Sequence, residues 1–223
     1  DYAREKGIEL VPSCQMLGHF GRLKKIPEYE SIIDIDDILL IGEERTTLLL
    51  KHLIHALRLS FKTKRINIGF DEAHHVGLGK YLDKHGYRNR FDLLLEHLHL
   101  VNSLCKEKGF EPEMWSDMFF KLANKGVYYD KKVELPQSVL EKIPEGVRIC
   151  YWDYFTTDEE TLTHMIKEHK KMNRPLSFAG TITNFAGFAP ANRASIAILE
   201  KQLPIVSQSG FESVLITVWG DDG

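Results

Sequence analysis

Short apolar runs alternate along the chain with longer amphipathic stretches, and this alternation limits the available folds more than any other feature. The runs are rich in β-branched or aromatic residues and are the predicted strands: Ile8–Ser13, Arg65–Phe70, Glu113–Asp117, Arg148–Trp152, Leu176–Gly180 and Ser213–Trp219. Each run is apolar on both faces, which is typical of a parallel strand covered by helices. Repeated strand–helix units of this kind predict an α/β fold built on a parallel sheet.

The stretches between the strands have the periodicity of core-facing helices. Apolar residues recur three and four positions apart in several of them: Leu49, Leu53, Ala56 and Leu57; Phe91, Leu94, Leu95, Leu98 and Val101; and Ile196, Leu199 and Leu203. Another helix is predicted to begin at the capping box Thr-Asp-Glu-Glu of residues 157–160.

The number of consecutive strand–helix units favours a barrel over a doubly wound sheet. No glycine-rich phosphate-binding loop follows any predicted strand, which also disfavours a doubly wound nucleotide-binding fold. We therefore predict a (β/α)8 TIM barrel of which this chain covers roughly strands three to eight. Because the chain starts at Asp1 without an initiator Met and stops directly after an apolar run, we expect residues 1–223 to be one barrel domain truncated from a larger protein.

Charge, hydropathy and cysteine usage exclude several classes of partner and setting. The formal net charge is only -3, so there is no electrostatic reason to expect nucleic acid or an anionic membrane as a partner. The sequence has no uninterrupted run of about 18 apolar residues, so it predicts no membrane-spanning helix. The cysteines Cys14, Cys105 and Cys150 are odd in number and widely spaced, which favours a reducing, cytoplasmic setting.

In a barrel the chemistry lies where the strands end, and one predicted strand ends in two adjacent acids, Asp71 and Glu72. Two neighbouring carboxylates at the end of an apolar strand repel each other, which favours protonation of one of them. A protonated carboxyl group can act as a general acid toward a leaving oxygen. The alternative is a solvated acidic pair that caps a helix over residues 73–77.

Tryptophans and further acids stand at the ends of the other strands. The pairs are Trp115 with Asp117, Trp152 with Asp153, and Trp219 with Asp221. Indole faces pack against the C–H bonds of a sugar ring, and carboxylates accept hydrogen bonds from its hydroxyl groups. The pattern therefore predicts a sugar-binding site, and the alternative is that the indoles fill the barrel mouth as core.

Histidines near the acid pair suggest a metal site as a further alternative. Its ligands would come from His19, Asp71, Glu72, His74 and His75. The two adjacent histidines cannot both readily face one centre, and no HxH or HxxxH motif lies at a strand end. We therefore expect neither a metal nor another cofactor.

Two motifs, in the right order, resemble those of a known family. Asn67–Ala73 (NIGFDEA) resembles a strand-end motif in which glycine and a variable residue precede an Asp-Glu pair, and Val11–His19 resembles a proline-led strand ending in Gly-His. Both are typical of the family 20 glycoside hydrolases, the β-N-acetylhexosaminidases. Asp71–Gly86 is most similar to a bacterial subgroup of exo-acting β-N-acetylglucosaminidases, and the resemblance runs along essentially the whole chain.

The resemblance implies a catalytic barrel that removes terminal GlcNAc or GalNAc from a glycan by substrate-assisted, retaining catalysis. Glu72 would be the general acid and then the base. Asp71 would orient the acetamido group, whose carbonyl oxygen attacks the anomeric carbon. The implied substrate-binding residues are His19, Trp115, Asp117, Trp152, Asp153, Tyr154, Trp219 and Asp221.

Individual roles follow from the same resemblance. Tyr154 would donate a hydrogen bond to the acetamido oxygen, and the three tryptophans would wall the pocket. Asp221 would bind outer hydroxyl groups, with Asp153 as a rival for that contact. His19 would position the acid pair.

Two other functions stay open at the level of the sequence. A two-carboxylate glycosidase would use Glu72 as the acid and Asp117 or Asp221 as the nucleophile. A carbohydrate-binding barrel without catalysis would use the same tryptophans, but it would have no use for the adjacent acid pair.

Overall fold

A computed structural model describes residues 2–185 and 187–220, and in that part of the chain one parallel sheet organises the fold. Its strands are hydrogen-bonded in the order of the sequence: β1 Arg65–Asn67, β2 Glu111–Trp115, β3 Arg148–Trp152, β4 Leu176–Thr181 and β5 Ser213–Thr217. Every neighbouring pair is parallel. The sheet curls into half of a barrel, so the predicted partial (β/α) barrel is confirmed.

Helices connect the strands and flank the sheet. The α-helices are α1 Tyr2–Glu5, α2 Glu44–Ser60, α3 Lys80–His85, α4 Arg90–Glu107, α5 Asp117–Ala123, α6 Gln137–Leu140, α7 Glu159–Lys171 and α8 Asn192–Ser207. Two 3₁₀ helices, Leu23–Lys25 and Pro27–Ile32, lie in the long excursion before α2.

Because successive side chains point to opposite faces of a strand, the strand residues pack into two separate clusters. Met114, Ile149 and Phe178 belong to the large core that also includes residues of the flanking helices. Trp115 and Cys150, one position further along their strands, form a small second cluster with Ala179, against which Trp152 and Trp219 pack. The strands therefore direct indole rings to the side of the sheet opposite the large core.

The prediction of a strand at Ile8–Ser13 is wrong over most of its length. Only Ser13 forms a bridge, parallel to Asn67, and the backbone N–H of Cys14 donates to the Asn67 carbonyl at 2.9 Å. Ile8 and Leu10 are each 56% exposed, so their apolar pattern is not matched by a covering element here. The segment runs along β1 without continuous pairing.

The first strand that does form ends earlier than predicted. β1 stops at Asn67 instead of Phe70, because Gly69 and Phe70 both have positive φ angles, 73° and 76°. Left-handed backbone cannot continue an extended strand. The chain therefore turns before it reaches Asp71, and this turn sets the direction of the acid pair.

Two helix predictions need small corrections. The α2 face in the core is centred on Leu50 and Ile54, one residue beyond the predicted stripe, whose Leu49 and Leu53 are only half-buried. Helix α7 is capped by Asp158, whose side chain accepts the N–H of Thr161 at 3.0 Å, and not by Thr157. Asp is as good an N-cap as Thr, so the sequence alone allows either start.

None of the helices described in residues 2–185 and 187–220 combines the length and the apolar character needed to cross a membrane.

Candidate active site

The carboxyl ends of the strands surround a cavity of about 580 Å³. It is lined by Gln15, His19, Asp71, Glu72, Trp115, Trp152, Tyr154, Phe155, Phe185 and Trp219. Trp115 and Trp152 are the last residues of β2 and β3, so two of the walls follow directly from where the strands end. The acid pair and all three tryptophans of the chain thus share one cavity.

Strained backbone carries the acid pair into this cavity. Phe70 has φ 76° and Glu72 has φ 54°, and a bulky residue in this region is unusual and costs of order 1 kcal/mol or more. Gly69 has a φ angle of 73°, which favours glycine, and a Cβ atom there would lie 1.8 Å from the Gln15 side-chain oxygen. The sequence Gly-Phe-Asp-Glu therefore forms a tight turn packed against Gln15.

Two neighbours hold the Asp71 carboxylate. Gln15 Nε2 donates to Asp71 Oδ1 at 2.8 Å, and His19 Nε2 lies 3.2 Å from Asp71 Oδ2. The Asp71 side chain is only 18% exposed. Because a carboxylate has about four acceptor positions, it can accept one more donor from the cavity.

Glu72 is the more accessible of the two acids and lies between two basic side chains. Its side chain is 46% exposed. His19 Nε2 is 3.9 Å from Glu72 Oε2, and Lys121 Nζ is 3.7 Å from Glu72 Oε1. The Glu72 carboxyl group can therefore reach a bound molecule while its charge is compensated from both sides.

His19 is cationic at neutral pH. Its hydrogen bond with Asp71, supported by the negative charges of Asp71, Asp37 and Glu72, raises the pKa of His19 from 6.5 to about 9 against the opposing effect of burial. His19 also has a positive φ angle of 63°. The protonated imidazole ring is thus the ion-pair partner of Asp71, at 3.2 Å.

This pKa shift predicts a pH-dependent contribution to stability. Because the pKa of His19 is raised on folding, its contribution is complete below about pH 6.5 and is lost as pH rises through about 9. In thermal melts of the full-length protein, we expect the difference in Tm between wild type and His19→Asn to be largest below about pH 6.5 and to shrink as pH rises through about 9. Asn tolerates positive φ, so the variant keeps the backbone. A Tm difference that is constant across this range would contradict the assignment.

Aromatic side chains build the opposite wall. The ring centroids of Trp115 and Trp219 are 6.0 Å apart at 65°, and those of Trp152 and Tyr154 are 5.0 Å apart. Trp219 Nε1 donates to the Tyr154 hydroxyl at 3.0 Å. Burial raises the pKa of Tyr154 to about 12, so the phenol is neutral and keeps a proton that it can donate. The wall combines apolar faces with one hydroxyl group.

A buried polar network fixes the end of β2. His169 Nδ1 bonds to the Met165 carbonyl at 2.7 Å, and Ser116 Oγ lies 2.8 Å from His169 Nε2 and 2.7 Å from the Tyr128 hydroxyl. Burial lowers the pKa of His169 to about 3, so the ring is neutral. Its Nδ1 must then be the donor and its Nε2 the acceptor. This network anchors the backbone between Trp115 and Asp117.

Asp117 and Asp153 lie beneath the cavity and do not line it. Both are fully buried. Asp117 accepts the N–H of Glu72 at 3.0 Å and Trp152 Nε1 at 3.3 Å, and burial raises its pKa to about 6. Asp153 accepts the Tyr151 hydroxyl at 2.5 Å and the N–H of Phe155 at 3.1 Å. Both carboxylates are engaged in contacts that hold the walls of the cavity in place, and the sugar contacts expected of them stay a prediction.

Other residues considered from the sequence lie elsewhere. Asp221 falls outside the described residues. His75 forms an exposed pair with Asp36 at 2.6 Å, and His74 is not part of the cavity lining. Within the described ranges, no group of three or more His, Cys, Asp or Glu side chains is arranged to hold a metal ion.

The structure adds four residues to the set of site residues expected from the sequence. Gln15, Phe155 and Phe185 line the cavity, and Lys121 lies behind Glu72. Phe155 follows Tyr154 directly, so its position near the wall could have been predicted from the sequence. Lys121 is four residues after Asp117, the spacing of neighbours on one helix face, but its contact with Glu72 depends on the fold.

No protein-family model and no curated protein matches the chain. Solved structures do match along nearly all of it. A β-N-acetylhexosaminidase from Bacteroides fragilis has a TM-score of 0.63 at 18% identity, covering 100% of this chain and 45% of its own. The GH20 exo-β-N-acetylglucosaminidase from Vibrio harveyi, in complex with N-acetylglucosamine, has a TM-score of 0.61 at 13% identity, covering 99% and 36%.

A third match is a mutant β-hexosaminidase from Streptomyces plicatus in complex with its product GlcNAc. It has a TM-score of 0.52 at 15% identity and covers 95% of this chain and 48% of its own. The fold is that of a partial TIM barrel. The chain spans less than half the length of each of these three structures. At such low identities the likeness concerns the fold, and the chemistry has to be argued from the cavity.

Proposed function

We propose that the protein carrying this chain is a retaining exo-β-N-acetylhexosaminidase that uses substrate-assisted catalysis. The observation that supports this most is that the adjacent acids Asp71 and Glu72 share one cavity with three indole rings. The three solved structures named above are hexosaminidases or an exo-β-N-acetylglucosaminidase, two of them with GlcNAc bound, and this likeness in fold agrees with the proposal. The substrate is a glycan with a terminal β-GlcNAc or β-GalNAc.

The first half-reaction cleaves the glycosidic bond. Glu72 donates its proton to the glycosidic oxygen, and the C–O bond breaks as the carbonyl oxygen of the substrate's acetamido group bonds to the anomeric carbon. The leaving alcohol keeps the proton and the bonding electron pair. The product is a cyclic oxazolinium ion, and no carboxylate of the enzyme is the nucleophile.

Asp71 stabilises the charge that develops in this step. Its carboxylate accepts the acetamido N–H, which becomes more acidic as the carbonyl oxygen attacks the anomeric carbon. Gln15 and His19 fix the orientation of Asp71 before substrate binds, at 2.8 Å and 3.2 Å. Preorganised acceptors of this kind are most effective because they need no rearrangement during the reaction.

The second half-reaction returns the enzyme to its starting state. The Glu72 carboxylate removes a proton from a water molecule, whose oxygen attacks the anomeric carbon and opens the oxazolinium ring. Two inversions at this carbon give net retention. His19 Nε2 and Lys121 Nζ lie 3.9 Å and 3.7 Å from the two Glu72 carboxyl oxygens, so a basic group faces each of them.

The remaining walls bind the sugar. Trp115, Trp152 and Trp219 pack against the ring and the N-acetyl methyl group, and the Tyr154 hydroxyl donates to the acetamido oxygen. Bacterial exo-β-N-acetylglucosaminidases are the subgroup that the motif at Asp71–Gly86 resembles, and we propose the same exo specificity.

The two-carboxylate alternative receives no support from Asp117. Its side chain is fully buried, and its two oxygens contact Lys121, the Glu72 N–H and the Trp152 indole. A nucleophile must reach the anomeric carbon, so this carboxylate is badly placed for attack.

The experiment is hydrolysis of an aryl N-acetyl-β-glucosaminide by the full-length protein, compared with the aryl β-glucoside that has a 2-hydroxyl group instead. We expect turnover of the acetamido substrate and very little of the glucoside, because the glucoside has no internal nucleophile. Equal turnover of both substrates, or sugar binding without turnover, would contradict the proposal.

A further inference from the structure

A nearly buried lysine lies directly behind the acid Glu72. The Lys121 side chain is 9% exposed and stands on α5, four residues after Asp117. Its Nζ is 3.0 Å from Asp117 Oδ2 and 3.7 Å from Glu72 Oε1. The same Nζ lies 5.5 Å from the centroid of the Trp152 ring. One ammonium group therefore contacts an acid of the site, a buried acid beneath it and an indole of the wall.

The contacts of Asp117 extend this arrangement to the backbone. Asp117 accepts the N–H of Glu72 at 3.0 Å, where Glu72 has a strained φ angle of 54°. Glu72 is therefore held at its N–H by Asp117, and its carboxyl group faces the Lys121 ammonium group at 3.7 Å. Burying an ammonium ion is unfavourable unless it is paired, and Asp117 already supplies a partner. The ion pair between Lys121 and Asp117 therefore does not by itself require Lys121 to lie next to the exposed Glu72.

We propose that Lys121 is a positioning residue for the acid–base function of Glu72, an inference that rests on the proposed function. Its ammonium group fixes the rotation of the Glu72 carboxyl group. It also compensates the negative charge on Glu72 once the proton has moved to the glycosidic oxygen. Lys121 is not among the residues that line the cavity, so it acts through Glu72 and not on the substrate.

The test uses leaving groups of different quality with Lys121→Met in the full-length protein. A phenyl leaving group needs protonation, whereas a dinitrophenyl group leaves readily without it. We compare kcat/KM, which reports cleavage of the glycosidic bond and not the later hydrolysis step in which Glu72 is the base. For phenyl N-acetyl-β-glucosaminide we expect kcat/KM to fall roughly 10- to 100-fold, because acids act only when correctly placed. For the dinitrophenyl substrate we expect a fall of less than about threefold. A purely structural role would lower both rates alike, and that result would overturn the inference.

Two further variants keep the test decisive. Lys121→Met leaves Asp117 buried without its cation, so Asp117→Asn/Lys121→Met removes both charges and should show the same dependence on leaving group. Lys131→Met breaks an exposed pair with Glu160, at 3.0 Å, and should leave both rates unchanged. If the double variant hydrolyses the phenyl substrate at the wild-type rate, Lys121 does not position Glu72.

Failure of this inference can be separated from failure of the proposed function by Glu72→Gln. If Glu72→Gln slows the phenyl substrate more than the dinitrophenyl substrate and the Lys121 variants slow both alike, only the inference fails. If Glu72→Gln lowers kcat/KM equally for both substrates, Glu72 is not the acid, and the inference fails together with the proposed function. In a Glu72→Gln background, Lys121→Met should add little further loss, because residues that act as a unit are not additive.

Discussion

Glu72→Gln is expected to lower kcat/KM for phenyl N-acetyl-β-glucosaminide by roughly 10²- to 10⁴-fold, since the amide cannot donate the proton that the leaving oxygen needs. This ratio reports cleavage of the glycosidic bond and not the second half-reaction, in which Glu72 is the base. The substitution preserves the shape of the side chain, and Glu72 is 46% exposed, so folding should be little affected. The measurement is steady-state kinetics of the full-length protein with phenyl and dinitrophenyl substrates. The loss should be much smaller with the dinitrophenyl group, which leaves without protonation.

A matched control is Glu160→Gln. Glu160 also faces a lysine, Lys131 at 3.0 Å, but it is 71% exposed and is not among the residues that line the cavity. It should keep wild-type kinetics with both substrates. Near wild-type turnover of the phenyl substrate by Glu72→Gln would show that another group is the acid.

Asp71→Ala is expected to lower kcat by roughly 10²- to 10³-fold, the range found when one preorganised group that stabilises developing charge is removed. Asp71 acts as the acetamido oxygen becomes a nucleophile, so the loss should be the same for phenyl and dinitrophenyl substrates. KM should change less than kcat. This pattern differs from that of Glu72→Gln and separates the roles of the two adjacent acids.

The control for Asp71→Ala is Asp92→Ala. Asp92 is an exposed carboxylate on α4 that pairs with Lys142 at 2.9 Å. It should retain full activity. Full activity in Asp71→Ala as well would reject assistance by the acetamido group, and a loss that depends on leaving group would assign Asp71 to proton transfer instead.

Hydrophobic pattern was sufficient to predict most of the sheet. β3 lies where the pattern puts it, at Arg148–Trp152, because strands buried on both faces leave a continuous apolar run in the sequence. The segment at Ile8–Ser13 has the same pattern but little pairing. The difference depends on which elements cover it, which no local pattern reports. The early end of β1 depends on left-handed backbone at Phe70, a conformation that its side chain does not favour.

The site could be predicted where strand geometry decides it. Trp152 and Tyr154 are two residues apart at one strand end, so both face the cavity. Asp153 lies between them and turns the other way, where the Tyr151 hydroxyl donates to it. Strict use of this alternation at the sequence level would have separated Asp153 from the lining residues. Asp117 begins α5 instead of continuing β2, so strand alternation does not apply to it.

Lys121 could not be assigned from the sequence, because its contact with Glu72 joins residues 49 positions apart. The spacing of Asp117 and Lys121 predicts only a pair on one helix face. Packing of α5 beneath the turn at Gly69–Glu72 turns that pair into part of the site.

The central claim is that Asp71 and Glu72 divide their work so that the sugar's own amide is the nucleophile. Its most direct measurement is the inhibition constant of a thiazoline that mimics the cyclised intermediate, for the full-length wild-type protein and for Asp71→Ala. We expect the thiazoline to bind the wild type at least roughly 10²-fold more tightly than GlcNAc does, because it is an intermediate analogue, and we expect Asp71→Ala to remove most of this advantage. A thiazoline that binds the wild type no better than GlcNAc, or binds both proteins equally, would contradict it.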